Sequence, residues 1–600
     1  MSTKYDFRSF INIRAASSPS FSHDGRYVVF LTNITGTPQV WRVSVKGGWP
    51  EQLTYYDERI TSVLCSPTEE TLAFATDTGG NERNQIYLLS PGTGLVSPLA
   101  VEQDVIHVLG PWSYNGGRLS FGSNSRHRAF FDVYVTEIPS GKPQRVLEHD
   151  GTNSPEAWSH DGGRLVVRRQ NTNLDSDLYV VDLKTGEVRC LTPHSGEASY
   201  ADPVFAPDDS SILCLTNRDR EFGALVSIDV KTNKEELIAE EHWDLGSLAL
   251  SPEGSRVAYA VNEEGYSKLR IMDLADGKVG EVKGLPPGVV GQTTWTPDGK
   301  LLAFAFNGSR FTSDIWLYDT ERKEVLQLTK SDTGGIPQEA FVEPELVHFK
   351  TSDGLDVPSF LYMPKSWEGE KPPVVMNVHG GPEGQSRPSF NAVTQYLVNH
   401  GFAVLLPNVR GSTGYGKTYV HLDDIRKRMD SINDLKYAHK WLAESGRVDP
   451  KRIAIYGGSY GGFMVLAALT NYPDLWAAGI DLYGIANFLT FLRNTGPWRR
   501  DLRASEYGDP VKDEAFLREI SPVHKADRIT APLMVVQGVN DPRVPKSETD
   551  QIVEALKRRG VSVKYVLFDD EGHGVVKLKN RLIAYGAIVE FLGEHLAPKN

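Results

Sequence analysis

A chain of 600 residues is too long for one hydrophobic core, so two or more domains are expected. With 40% hydrophobic and 24% charged residues it has globular composition, and no stretch is biased enough to argue for disorder. A net charge of −13, with no Lys/Arg cluster interleaved with aromatics, argues against a nucleic-acid partner.

The chain opens with Met1 to Ser17, where Lys4, Asp6 and Arg8 stand in place of the apolar run of a signal peptide. No apolar run approaches the ~20 residues needed to cross a bilayer. A soluble, cytoplasmic protein without a membrane partner is the expectation. Cys65, Cys190 and Cys214 are too few for a disulfide framework and read as buried free thiols.

A phrase of aromatic, serine or threonine, a turn and an apolar run then repeats seven times. Its clearest copies are FSHDGRYVVF at Phe21, WSHDGGRLVV at Trp158 and WTPDGKLLAFAF at Trp295. The turn positions Asp24, Thr68, Asn115, Asp161, Asp208, Glu253 and Asp298 recur every 44 to 47 residues. An Asp-Gly or Asn-Gly pair between apolar runs favours a hairpin. Each hairpin is followed by an alternating segment such as DLYVVDL or DIWLYDT and by a fourth short strand. Four strands per repeat is the arithmetic of a propeller blade, and seven blades would close a ring over roughly 18–335.

From about residue 336 strands alternate with helices, which signals a mostly parallel sheet. A hairpin turning at Asp353-Gly354 opens this part. Buried strands are expected at Val374–Val378, Ala403–Leu406, Arg452–Tyr456, Leu533–Gln537 and Lys564–Phe568. A helix capped at Ser431 carries Ile432, Leu435, Ala438 and Leu442 on one face and ends at Gly446, and another covers about 575–596. The predicted fold is a seven-bladed β-propeller followed by an α/β-hydrolase domain at 336–600.

The strand RIAIY runs into Gly457-Gly458-Ser459-Tyr460-Gly461-Gly462 and then an apolar helix. This is G-x-S-x-G in the strand–turn–helix setting that exposes a nucleophile, here Ser459. A serine needs a base that is itself oriented by an acid. In this fold both follow in the order Ser, acid, His on loops after later strands. Asp541 in GVNDPRVP and His573 in DDEGHG satisfy that order; His421, His439 and His524 do not. The oxyanion would be held by the backbone N–H of Tyr460 and of Gly381, in the loop His379-Gly380-Gly381-Pro382. His379 reads as a structural residue of that loop. No histidine spacing suits a metal, and no cofactor is implied.

HGGP at 379, NVRGSTGYG from Asn408, GGSYGG at 457, NDPRVP at 540 and GHG at 572 together resemble the prolyl oligopeptidase family of serine peptidases. The acylaminoacyl-peptidase branch is the nearest match. The resemblance implies a peptidase for short peptides, with the propeller as a gate and residues 1–17 packed on the hydrolase domain. It also implies that Arg543 binds a substrate carbonyl on the acyl side, and it leaves homo-oligomer formation open. Prolyl oligopeptidase itself and the dipeptidyl peptidases carry a tyrosine where this chain has His379, so proline specificity is not implied. Neither Glu240-Glu241 nor Glu263-Glu264 can be aimed at the site as the acidic pair of a dipeptidyl peptidase. The rival readings are an esterase or amidase with the same triad, and a binding protein with a vestigial hydrolase.

Overall fold

A computed structural model describes residues 5–365 and 371–596. Residues 1–4 of the expected N-terminal segment therefore lie outside the described residues. From Ala16 to Gln327 the strands form seven consecutive antiparallel meanders of four, with the third and fourth joined by one parallel bridge between Phe131 and Thr152. The recurring phrase has a local cause. At Ser159 the hydroxyl donates to Asp161 Oδ1 at 2.6 Å and accepts from the Arg164 N–H at 2.9 Å, while Asp161 accepts from the Gly163 N–H at 2.8 Å. Serine and aspartate thus tie the turn, and Gly162 takes the positive φ of 68° that the turn requires.

Each meander presents an apolar face to the next. Val29, Leu31 and Val40 of the first meet Ile60, Val63 and Phe74 of the second, and Leu213, Leu215 and Leu225 of the fifth meet Val257 and Tyr259 of the sixth. Phe30 and Trp41 of the first also pack on Ala303, Ile315 and Leu317 of the seventh. The row therefore closes on itself, and the Thr312 and Ser313 hydroxyls donate to the Arg14 and Ala16 carbonyls across that closure, each at 2.7 Å. We call this unit the ring.

The second unit is one eight-stranded sheet. Its strands are β1 (Glu345–Lys350), β2 (Asp356–Tyr362), β3 (Val374–Val378), β4 (Ala403–Pro407), β5 (Ile453–Gly458), β6 (Ala478–Leu482), β7 (Leu533–Gly538) and β8 (Val563–Phe568), in the order β1-β2-β4-β3-β5-β6-β7-β8. The first two pair antiparallel, β2 joins β4 antiparallel, and all later neighbours are parallel. Apolar clusters cover both faces, which is why the central strands are continuous apolar runs.

The helices that matter below are α1 (Phe7–Ile11), α2 (Ala392–Asn399), α3 (Arg428–Glu444), α4 (Tyr460–Asn471), α5 (Arg500–Tyr507) and α6 (Leu578–Leu596). Phe7 and Phe10 of α1 meet Tyr396 of α2 edge-on, so this segment packs on the second unit before the chain enters the ring. The entry and exit of the ring touch: the Arg14 N–H donates to the Asp332 carbonyl at 2.8 Å.

Three expectations need correction. Strand β6 was not expected, because its short run AGIDL carries a glycine and an aspartate. Helix α3 begins at Arg428, three residues before the expected Ser431 cap; Ser431 Oγ instead donates to the Arg428 carbonyl at 2.8 Å within the helix. Of the three free thiols only Cys214 is buried, while Cys65 and Cys190 are half-buried.

Candidate active site

Strand β5 delivers Ser459 at the start of α4 with φ 59° and ψ −123°, a strained conformation for a residue with a β-carbon. Its surroundings enforce it. The Ser459 N–H donates to the Leu482 carbonyl at 2.9 Å and its carbonyl accepts from the Phe463 N–H at 3.1 Å. A β-carbon on Gly461 would lie 2.2 Å from the Val378 carbonyl, and one on Gly457 would lie 2.4 Å from the Gly461 carbonyl, so only glycine allows strand and helix this close.

The loop after β3 lies directly on this elbow: a β-carbon on Gly380 would stand 3.2 Å from Ser459 Cβ. His379 is held within that loop, Nε2 2.9 Å from Ser412 Oγ and Nδ1 2.9 Å from the Gly380 carbonyl, and burial pulls its imidazole below the usual range. The Gly381 carbonyl accepts from Arg503 Nη1 at 3.1 Å and from the Tyr507 hydroxyl at 3.3 Å.

Asp541 follows β7 and His573 follows β8. His573 Nδ1 lies 2.7 Å from Asp541 Oδ2, while Asp541 Oδ1 accepts the backbone N–H groups of Arg543 and Val544 at 2.8 and 3.0 Å. A carboxylate with this many fixed donors holds an imidazole in one orientation. The His573 ring packs on Tyr483 at 4.6 Å, and a β-carbon on Gly458 would lie 3.1 Å from the same tyrosine ring. Tyr483 thus touches both the strand that delivers the serine and the histidine. It was missed in the sequence because it follows the unexpected strand β6, and its φ of 43° is strained in the same way as Ser459.

The ring reaches this region through the loop between its Leu72–Thr76 and Gln85–Ser90 strands. Asn540 Nδ2 donates to the Gly79 carbonyl at 3.0 Å, and Gly80 is pressed so tightly on Gly572 that a β-carbon would stand 2.6 Å from the Gly572 nitrogen. Arg543 Nε pairs with Glu82 at 2.6 Å. Glu240 and Glu241 instead face Arg220 and Arg270, and Glu264 faces His348, whereas Glu82 is the ring carboxylate paired with Arg543.

Three comparisons bear on this arrangement. The family model "Prolyl oligopeptidase family" matches residues 388–599. Dipeptidyl aminopeptidase BIII of Pseudoxanthomonas mexicana is 28% identical, over 96% of this chain and 86% of that one. The chain resembles the prolyl oligopeptidase family of serine peptidases, and the match to the family model lies in its C-terminal part. The acylamino-acid-releasing enzyme of Sus scrofa, 22% identical over 81% of this chain and 79% of its own, is similar too. Among solved structures a puromycin hydrolase superposes with a TM-score of 0.88 at 19% identity, covering 99% of this chain and 96% of the other. The Pyrococcus horikoshii acylaminoacyl peptidase gives 0.75 at 21% identity, covering 100% and 98%.

Beneath the elbow the sheet domain contains a charge cluster that no motif announced. Arg428 is fully buried, paired with Asp423 and Glu506, with its guanidinium 5.2 Å from the Tyr460 ring and 5.0 Å from the Tyr507 ring. The Tyr460 hydroxyl joins it, 3.1 Å from Arg428 Nη1 and 2.9 Å from Ser431 Oγ. Burial pushes both carboxyls up, against the pull of the single guanidinium that lies between them. This network anchors the residue whose N–H is the expected oxyanion donor. Asp423, Asp424 and Glu506 come close enough to suit a cation, but Arg428 already supplies the positive charge there.

Proposed function

We propose that this protein is a serine peptidase that hydrolyses short peptides through an acyl-enzyme on Ser459. His573 takes the serine proton and returns it to the leaving amine, and Asp541 orients the imidazole. The backbone N–H groups of Tyr460 and Gly381 hold the oxyanion. The observation that carries this reading is the 2.7 Å contact of His573 with a fully anchored Asp541, with Tyr483 touching both that histidine and the strained elbow that carries Ser459. Arg543 keeps its two Nη groups for a substrate carbonyl while Nε holds Glu82. The proposed domains are an N-terminal segment 1–17 on the hydrolase, a seven-bladed β-propeller over 18–335 and the catalytic domain over 336–600. The seven meanders, each packed on the next, support the blade count. No helix among the described residues is long and apolar enough to cross a membrane, and a cytoplasmic location is part of this proposal.

Relatives named as dipeptidyl aminopeptidase and as acylamino-acid-releasing enzyme both support release of a short piece from a peptide end. A fluorophosphonate probe is expected to label the wild type and not Ser459→Ala, whose kcat falls by about 10⁴ or more. Short peptide anilides, free or acylated at the amino end, are expected to give higher kcat/KM than p-nitrophenyl esters. The reverse ranking would favour the esterase reading, and an unlabelled wild type would favour the binding protein.

A further inference from the structure

Arg499 stands just before α5 and is followed along the same helix face by Arg503 and Tyr507, four and eight residues on. The second and third of these donate to the Gly381 carbonyl on the oxyanion loop. Arg503 also faces Glu383 at 3.5 Å, and Arg543 is paired with Glu82. Arg499 has no such partner. Its side chain makes no hydrogen bond or ion pair with a described residue, and its Nε is sealed from solvent. Burial, then repulsion from Arg503 and Arg543, pulls its guanidinium down to about 10, still charged at neutral pH. Three guanidiniums thus face two carboxylates, Glu82 attracting Arg499 as well as pairing with Arg543, and one positive charge is left over. A half-buried guanidinium without a hydrogen-bonded counter-ion is a site that an anion would complete.

The position of this charge says which part of a substrate meets it. The ring of Tyr507 stacks on Tyr460 at 6.2 Å, so α5 flanks the serine on the Tyr460 and Gly381 side. His573 lies on the Tyr483 side. The leaving amine must sit beside the histidine that protonates it. The acyl residue therefore points toward α5, whereas a free C-terminal carboxylate would belong to the leaving group on the other side.

We propose that Arg499, assisted by Arg503, is a carboxylate-binding subsite that selects an aspartyl or glutamyl side chain on the residue whose carbonyl Ser459 attacks. This inference rests on the peptidase reading. Its test uses paired fluorogenic peptides that differ only by Glu or Gln at that residue, with fluorophosphonate labelling of Ser459 run on every variant. In the wild type kcat/KM for the Glu peptide should exceed that for the Gln peptide by on the order of tenfold, with the ratio falling as salt is raised. In Arg499→Gln the ratio should collapse toward one, and Arg499→Lys should restore part of it. A wild-type ratio of one or less in a labelled, peptide-cleaving enzyme overturns the subsite and leaves the peptidase reading standing. So does a ratio that survives in Arg499→Gln. Absence of labelling together with absence of cleavage overturns both.

Discussion

The serine and the histidine of this protein are held in place by different means. The elbow around Ser459 is local: strand, helix and glycines come from one contiguous stretch, and the residues that brace it, Val378, Leu482 and the Arg428 cluster, all belong to the same sheet unit. The loops of Asp541 and His573 are braced from outside. Gly79, Gly80 and Glu82 of the ring press on Asn540, Gly572 and Arg543. The proposed nucleophile is thus built by a short motif, while the loop of the proposed base is braced by a contact between residues some 490 positions apart, Gly80 and Gly572.

The largest effect that tests this contrast is on the acid. Asp541→Asn keeps the shape but reverses the hydrogen bond to His573 Nδ1, and kcat should fall by about 10³ to 10⁴ with the fold intact by circular dichroism. A loss under tenfold would remove Asp541 from the mechanism.

The next effect comes from the ring. Gly80→Ala adds a carbon 2.6 Å from the Gly572 nitrogen at a φ of 73°, so the His573 loop must shift. A displacement near 1 Å costs roughly 10²-fold in kcat/KM. The thermal midpoint should move by only a few degrees, because the strained residue lies in a turn. Unchanged kinetics would show that the histidine loop supports itself.

The smallest effect probes the elbow side. Asp481 on β6 is fully buried, packed against Gly462 and Gly484, and burial raises its carboxyl from 3.8 to about 7. The folded state therefore keeps a proton that the unfolded chain releases, so this group's stabilising contribution is complete below pH 3.8 and is lost as pH rises to about 7. Asp481→Asn lacks that loss. Its stability in urea should match the wild type near pH 4 and exceed it progressively up to pH 7, by on the order of a few kcal/mol. A pH-independent difference would mean that Asp481 ionises freely in the fold.

What was legible in the sequence follows the same division. The repeat was readable because each serine–aspartate turn is a local hydrogen-bonded unit, and the elbow because its glycines are contiguous. The beginning of α3 was not, because Arg428 and Asp430 read as solvated polar residues although Arg428 is wholly buried between two acids. Arg499 and Arg503 stand in WRRDLRASEY, a stretch without a motif whose place at the site depends on Gly381 being brought against it. Glu82 and Tyr483 had no signal at all: one depends on how the two units meet, the other on a strand too short and too polar to be recognised.

The chain crosses between its two units twice, and both crossings run together where the Arg14 N–H meets the Asp332 carbonyl. Two covalent tethers at one place act as a hinge pin. Any parting of the units must be a swing about that seam, widest at the far rim and least beside it. Gly80 and Glu82 of the ring touch the loops of Gly572 and Arg543, so a swing that parted Gly80 from Gly572 would also unclasp the histidine loop, and reseating the ring would restore it.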